Sequence, residues 1–146
     1  MIEVRPFNKS DLDSIYEIEL ESFSIPWAKD DLHKDAVINK LSIYLVAVYD
    51  DKVVGYAGMW HVVTEGHITN IAVSPAYRNM GIGQKLIEGL EIIAREKEMI
   101  GITLEVRMNN GAAQKLYMKN GYVVEGIRKN YYADTKEDAL IMWKYL

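Results

Sequence analysis

The chain has 146 residues, of which 49% are hydrophobic and 26% charged, ordinary values that exclude fibrous, collagen-like and disordered proteins. Seventeen Lys and Arg residues against 21 Asp and Glu residues give a net charge of −4, so we expect no nucleic-acid partner. The absence of cysteine excludes disulfides, thiolate zinc sites and an acyl-cysteine intermediate. At roughly 150 residues per domain, we expect one domain spanning residues 1–146.

No targeting or membrane segment is recognisable. Residues 1–6 carry charges where a signal peptide needs an apolar stretch, so we expect the mature protein to begin here. The longest apolar run, residues 53–63, is about half the length of a membrane-spanning helix. We therefore expect a cytoplasmic protein without a membrane partner. The three histidines lack metal-site spacing, so we expect no metal; the sequence leaves the oligomeric state open.

The first half of the chain contains two helical segments and several strands. Residues 2–5 alternate like a short strand, and the pair Ser10 and Asp13 predicts a capping box for a helix ending near Ser22. A second helical stretch runs from Lys29 to about Val37. The β-rich runs are residues 42–49, 53–62 and 67–73, the first two forming a hairpin through Asp50-Asp51-Lys52.

The second half changes to a helical period. Residues 81–97 predict an amphipathic helix and residues 100–106 a buried strand, which together imply a right-handed crossover between parallel strands. A shorter helix over 110–119, stopped by Asn120-Gly121, precedes β-rich runs at 122–127 and 138–146. The predicted fold class is α+β: a mixed, mostly antiparallel sheet with one parallel βαβ crossover, flanked by about four helices.

The most informative segment is residues 71–85, where a strand enters a glycine-spaced turn that opens a helix. Free backbone N–H groups and the helix dipole at such a junction suit a diphosphate. Gly81 and Gly83 allow close backbone approach, and Arg78 supplies positive charge. A dinucleotide fingerprint would need a third glycine where the chain has Leu86. The alternative is a loop whose glycines serve only for turning.

With residues 104–117 and 119–122, this junction resembles the GNAT superfamily of acetyl-coenzyme A dependent N-acyltransferases. The family's pyrophosphate-binding pattern, Arg/Gln-x-x-Gly-x-Gly/Ala, matches Arg78-Asn79-Met80-Gly81-Ile82-Gly83. Within the superfamily the sequence is most similar to the ribosomal-protein alanine N-acetyltransferases of the RimI type. Four segments in order carry this likeness: residues 23–27, 70–73, 105–117, and 128–132 with 137–139.

The resemblance implies acetyl-CoA as cosubstrate and the N-terminal alanine of a small-subunit ribosomal protein as target. It assigns Glu105 as general base and Tyr117 as general acid. The implied coenzyme contacts are Ile71, Ala72, Val73, Arg78, Asn79, Met80, Gly81, Ile82, Gly83, Gln84, Asn110 and Tyr117. The implied substrate contacts are Pro26, Trp27, Asn70, Tyr131 and Tyr132. The chain departs from the family at Gly111, where Ala is frequent, and at Tyr122, where Phe is common.

The chemistry of the two catalytic candidates also follows from their residue types. An α-amine has a pKa of about 7.7 to 8.0, so a base must take a proton before the amine attacks a thioester. Glu105 alternates with Leu104 and Val106, which predicts that its carboxylate leaves their face of the strand. A phenol with a pKa of about 10 stays protonated and can donate to a departing thiolate, as Tyr117 would. The alternatives are a surface glutamate and a core tyrosine.

Other activities remain open at this stage. A lysine side chain or a small amine could be the acceptor, and the same fold could serve as a coenzyme A sensor without turnover. The presence of both Glu105 and Tyr117 argues against the sensor. The loop aromatics Pro26-Trp27 and Tyr131-Tyr132 predict a narrow slot that admits a chain end; the alternative is that they only pack.

Overall fold

The computed structural model describes all residues, 1–146, and contains one seven-stranded sheet in the order β1-β2-β3-β4-β5-β7-β6. The strands are β1 (Ile2–Pro6), β2 (Ser42–Tyr49), β3 (Lys52–Val62), β4 (Glu65–Val73), β5 (Gly101–Arg107), β6 (Val123–Arg128) and β7 (Ala139–Tyr145). The helices are α1 (Leu12–Ser22), α2 (Lys29–His33), α3 (Ile82–Glu96) and α4 (Gly111–Lys119). Only β4 and β5 pair in parallel, which confirms the predicted α+β fold with its single crossover.

The start of α1 differs from the prediction of a capping box at Ser10 and Asp13. The backbone N–H of Asn8 donates to Asp11 Oδ2 at 2.8 Å, and a 3₁₀ turn precedes the helix. Both Nη atoms of Arg5 donate to Asp11, at 2.8 and 3.0 Å. The capping box thus lies in the 3₁₀ turn and joins Asn8 to Asp11, whose carboxylate also binds a cation on β1, whereas Asp13 is exposed. The second helical stretch is α2 followed by a single π-helical turn, Lys34–Ile38.

Two apolar clusters hold the helices on opposite faces of the sheet. On one face α1 and α2 pack Ile15 and Leu32 against Tyr56. On the other face α3 and α4 cover the larger cluster, to which Leu86 and Leu90 contribute fully buried side chains. Each such leucine contributes about 1.5 to 3 kcal/mol through burial. The sheet therefore presents two separate faces on which ligands can be held.

None of the four helices is both long enough and apolar enough to cross a lipid bilayer. No three His, Asp or Glu side chains are grouped in a way that could hold a metal ion.

β4 and β5 pair over a short distance only. Residues 65–67 pair with residues 101–103, and no ladder joins 68–73 to 104–107. Beyond His67 the two strands therefore diverge and leave a wedge-shaped opening in the sheet. Backbone polar groups on this edge of β4 have no partner strand and remain available to a ligand.

A β-bulge in β4 coincides with the point of divergence. Gly58 and Met59 of β3 pair with Asn70 and Ile68, so Thr69 is an extra residue in β4. A bulge bends its strand and increases its local twist. β4 consequently turns away from β5 just beyond His67, the last residue that pairs with β5.

The bulge requires glycine on the facing strand. A Cβ atom at Gly58 would lie 2.8 Å from Tyr44 Cζ and 2.9 Å from Thr69 Oγ1. The Tyr44 ring is held in place because its hydroxyl donates to Asp35 Oδ2 at 2.5 Å. The Tyr44 ring therefore cannot retreat without breaking this bond.

We predict that Gly58→Ala lowers the free energy of unfolding by about 1 to 3 kcal/mol, the usual cost of overpacking, measured by urea denaturation. Gly111→Ala is the matched control, because a Cβ there meets nothing within 4 Å and its φ is not positive. That control should gain up to about 1 kcal/mol. Equal stabilities for Gly58→Ala and the wild type would contradict the tight approach of β3 to the bulge.

Candidate active site

The wedge between β4 and β5 opens onto a cleft of about 360 Å³. Its walls come from the ends of α1 and β4, the turn into α3, and α4. The lining residues are Ser22, Phe23, Ile71, Ala72, Val73, Arg78, Gly83, Asn110, Ala112, Ala113, Leu116 and Tyr117. Seven of these residues are coenzyme contacts expected from the sequence.

The remaining five lining residues are not among those expected. Ala113, Leu116 and Tyr117 follow the i, i+3, i+4 spacing of one helix face, so helical periodicity could have identified the α4 wall. Ser22 and Phe23 come from the end of α1, far away in sequence. Only the strand order brings them to the cleft, and no local signal in the sequence predicts this.

The N-terminus of α3 forms one end of the cleft. Gly81 has a φ of 79°, and no side chain caps the helix, so its first N–H groups have no intrahelical partner. These groups and the helix dipole favour an anion. Gly83 lines the cleft in this first turn. Arg78 Nε donates to the Val73 carbonyl at 3.1 Å, while its terminal nitrogens form no bond within the protein.

Five of the expected coenzyme contacts do not line this cleft: Asn79, Met80, Gly81, Ile82 and Gln84. The Ile82 side chain is 2% exposed and belongs to the core. The Gln84 amide exchanges two hydrogen bonds of 2.8 Å with the Asn120 amide, which joins the start of α3 to the end of α4. These two side chains thus stabilise the walls, and contact with a ligand here would have to come from the backbone.

Tyr117 is fixed in the α4 wall. Asn110 caps the helix by accepting a hydrogen bond of 3.1 Å from the Ala113 N–H. The Tyr117 ring packs edge to face on Tyr122, with ring centroids 5.7 Å apart. Its hydroxyl has no protein partner, and burial raises its pKa above the ordinary value of 10. Tyr117 therefore presents a neutral phenol to the cleft.

Glu105 lies on β5 beyond the last residue that pairs with β4. Leu104 and Val106 belong to the core beneath α3, so Glu105 faces the opposite side of the sheet, the side of α1. It does not line the cleft. Arg128 Nε lies 3.3 Å from Glu105 Oε2, and interaction with this carboxylate raises the pKa of the Tyr131 hydroxyl. The expected base and one expected substrate contact are thus neighbours.

Arg107 organises the β6–β7 loop above this face. It forms a bidentate pair with Asp134, at 3.0 and 2.9 Å, and its guanidinium lies 4.0 Å from the Tyr132 ring centroid. These bonds hold the pKa of Asp134 well below its ordinary range. The Ser24 hydroxyl also donates to Asp134, so the α1–α2 and β6–β7 loops meet at this carboxylate. The alternation of side chains along β5 predicts that Arg107 lies on the same face as Glu105. It does not predict that Arg107 binds Asp134 and Tyr132.

Trp27 and Asn70 were expected to contact the substrate, but in the structure both bond Glu19 and hold the α1–α2 loop on the sheet. The Trp27 side chain packs on the cluster beneath α1, and its backbone N–H donates to Glu19 Oε2 at 2.9 Å. Asn70 Nδ2 donates to Glu19 Oε1 at 3.3 Å, as does the Tyr56 hydroxyl to the same oxygen. Half-buried Pro26 precedes this anchor. Glu19, which is 1% exposed, was not expected from the sequence to hold this loop. Its i+4 spacing from Ile15 does place it on the core face of α1.

Comparison with known proteins agrees with this geometry. Residues 12–122 match the acetyltransferase (GNAT) family. A Bacillus subtilis (strain 168) protein, provisionally named a ribosomal protein bS18-alanine N-acetyltransferase, is 44% identical over 140 residues, 96% of this chain and 93% of that protein.

Solved structures share the fold. The ribosomal-protein-S18-alanine N-acetyltransferase from Escherichia coli superposes with a TM-score of 0.92 at 30% identity, covering 99% of this chain and 94% of that one. A Bacillus anthracis str. Ames protein, provisionally named a streptothricin acetyltransferase and crystallised with acetyl coenzyme A, gives a TM-score of 0.83 at 23% identity, covering 100% and 99%. The chain therefore belongs to the acetyltransferase (GNAT) family.

Proposed function

We propose that this acetyltransferase moves the acetyl group of acetyl-CoA onto the α-amine of a protein N-terminus, with alanine as first residue and ribosomal protein bS18 as the protein. The observation that best supports this proposal is that Tyr117 and Glu105 lie on opposite sides of the wedge between β4 and β5. Tyr117 lines the cleft on one side of the wedge, whereas Glu105 faces the other side of the sheet. A thioester and an amine can then approach each other from opposite faces and react directly.

The cleft is suited to coenzyme A. The uncapped start of α3 and the free terminal nitrogens of Arg78 match a pyrophosphate. Gly83 lines this end of the cleft, and a Cβ atom there would lie 3.1 Å from Leu116 Cδ2 on the opposite wall. Along the unpaired edge of β4, the Ile71 backbone and the Val73 N–H can bond the amide groups of the pantetheine arm, while the Val73 carbonyl accepts from Arg78. When bound, acetyl-CoA supplies the activated acetyl thioester.

Glu105 acts as the base in this proposal. Most of an α-amine with a pKa of about 7.7 to 8.0 is protonated at neutral pH and cannot attack. The Glu105 carboxylate receives that proton at the mouth of the wedge, where β5 no longer pairs with β4. Tyr131, beside this carboxylate, can bond the first peptide unit of the acceptor.

Tyr117 acts as the acid. Transfer of the acetyl group expels a thiolate, which needs a proton. The raised pKa of Tyr117 keeps its hydroxyl protonated, and the lack of a protein partner leaves this proton free for donation. Asn110 and Tyr122 fix the helix and the ring, so the hydroxyl is held in position before substrate binds.

Selection of a chain end follows from the two loops joined at Asp134. Their contact through Ser24 spans the face on which Glu105 lies. A free N-terminus can enter beneath such a bridge, whereas a lysine in the middle of a chain carries backbone on both sides. The names of the Bacillus and Escherichia relatives support alanine and bS18 as the natural target. We propose that residues 1–146 form one domain that acts in the cytoplasm.

We predict that the purified protein with acetyl-CoA acetylates the α-amine of a peptide beginning with Ala. An N-blocked peptide with an internal lysine, otherwise identical, should remain unmodified because the two loops joined at Asp134 exclude it. Mass-spectrometric mapping of the acetyl group is the measurement. Efficient labelling of the internal lysine would contradict selection of a chain end by the joined loops and favour a side-chain acetyltransferase.

We further predict that Tyr117→Phe lowers kcat by roughly a hundredfold, the lower range for loss of a general acid, without changing the Kd of acetyl-CoA. In the wild type, the raised pKa of Tyr117 means that its acid form persists, so kcat should not decline through this group below about pH 10. Steady-state kinetics and calorimetry check both points. A variant with wild-type kcat would reduce Tyr117 to a packing residue.

A further inference from the structure

The carboxylate of Glu105 has a cation from the protein itself as its neighbour. Arg128 Nε lies 3.3 Å from Glu105 Oε2, and the guanidinium lies 5.8 Å from the centroid of the Tyr131 ring. Arg128 is on β6, two strands away from Glu105, with β7 between them. Ala139 of β7 pairs with Arg128 on one side and with Arg107 of β5 on the other, so both arginines share the face of the sheet on which Glu105 lies.

Two arginines lie on this face of the sheet, and they are held very differently. Arg107 is fixed by its bidentate pair with Asp134 and a further contact with Glu137. Arg128 makes a single long contact with Glu105, and 55% of its side chain is exposed. An exposed ion pair of this kind contributes little stability. Arg128 can therefore leave Glu105 easily, whereas Arg107 cannot.

The substrate brings a second cation to the same carboxylate. An α-ammonium group must come within about 3.2 Å of a Glu105 oxygen for proton transfer. Two cations on one carboxylate repel each other, and the Tyr131 hydroxyl already interacts with this group. The approach of the ammonium group thus competes with the contact from Arg128.

We propose that Arg128 is an exchangeable counter-ion of Glu105, displaced by the α-ammonium group of the incoming protein N-terminus. This inference rests on the proposed acetylation of an α-amine through Glu105. Arg128 keeps the base paired before the acceptor binds, and its displacement weakens binding of the acceptor. Arg128 is then a residue that sets the KM of the amine substrate and has no role in the transfer itself.

The test is the kinetics of Arg128→Met with a peptide beginning with Ala. Methionine keeps the length and apolar stem of the side chain and removes its charge. The KM for the peptide should fall about two- to fivefold, the range that an exposed ion pair corresponds to. The kcat and the KM for acetyl-CoA should stay within twofold of wild type. Arg128→Lys should give a peptide KM between the two.

A matched control removes one positive charge elsewhere. Lys34→Met breaks the exposed ion pair between Lys34, in the π-helical turn after α2, and Asp30 in α2. It changes the net charge by the same amount as Arg128→Met. Its peptide KM should equal that of the wild type, which separates a local effect from a change in overall charge. Thermal unfolding of each variant checks that the fold is retained.

An inhibitor without the amine separates charge exchange from steric hindrance. In this analogue a propionyl group replaces the N-terminal alanine, so it brings no cation and leaves Arg128 on Glu105. Its Ki should be the same for wild type and Arg128→Met. An unchanged or higher peptide KM in Arg128→Met, a lower kcat, or equal tightening of the analogue would overturn the inference. Failure of the wild type to acetylate any α-amine would instead overturn the proposed function.

Discussion

The divergence of β4 from β5 is the constraint on which the rest of the site depends. Adjacent parallel strands normally continue their ladder, but here pairing stops after residue 67 of β4. The extra residue Thr69 bends β4 just beyond that residue. Gly58 on β3 permits the bend because any larger residue would collide with Tyr44 and Thr69. Opening a sheet in this way exposes backbone polar groups, a cost that a ligand with amide groups can offset. The same opening connects the two faces of the sheet.

Two carboxylates, those of Glu19 and Asp134, hold the loops on the acceptor face, which is the face of the sheet on which Glu105 lies. Glu19 accepts hydrogen bonds from the Trp27 backbone, Asn70 and Tyr56, which ties the α1–α2 loop to the sheet. Asp134 is held by Arg107 and also binds Ser24. Charge-assisted bonds of this type fix loops that carry few apolar contacts. The acceptor face is therefore organised before substrate arrives, and Arg128 is the weakly held group within it.

Much of the fold was predictable from the sequence because its signals are local. The hydrophobic period gave β2 over residues 42–49 and α3 to within one residue at each end, and Gly121 has the positive φ expected of a helix stop. The family and enzyme class expected from the four matching segments are confirmed. The junction at 71–83 was identified because glycine spacing reports directly on backbone geometry.

The rest depends on contacts between distant residues, which periodicity does not encode. The capping box before α1 joins Asn8 to Asp11, and Arg5 on β1, distant in the sheet, also binds Asp11. The bulge has one local signal, an isolated glycine within a strand at position 58, but its partner residue follows only from the register. The Ser24–Asp134 contact joins residues 110 positions apart. Trp27 and Gln84 lie in segments that were expected to contact substrate and coenzyme. The Trp27 side chain instead packs on the cluster beneath α1, and the Gln84 side chain bonds Asn120 at the end of α4.

The central claim is that Glu105 takes the proton from the amine that attacks. The most direct measurement is the pH dependence of the acetylation rate for Glu105→Gln, which keeps the shape of the side chain but cannot accept a proton at neutral pH. The account predicts a large loss of rate near neutral pH and a progressive recovery above the pKa of the amine, about 7.7 to 8.0, where the amine deprotonates without help. A wild-type rate and pH profile in this variant would contradict it.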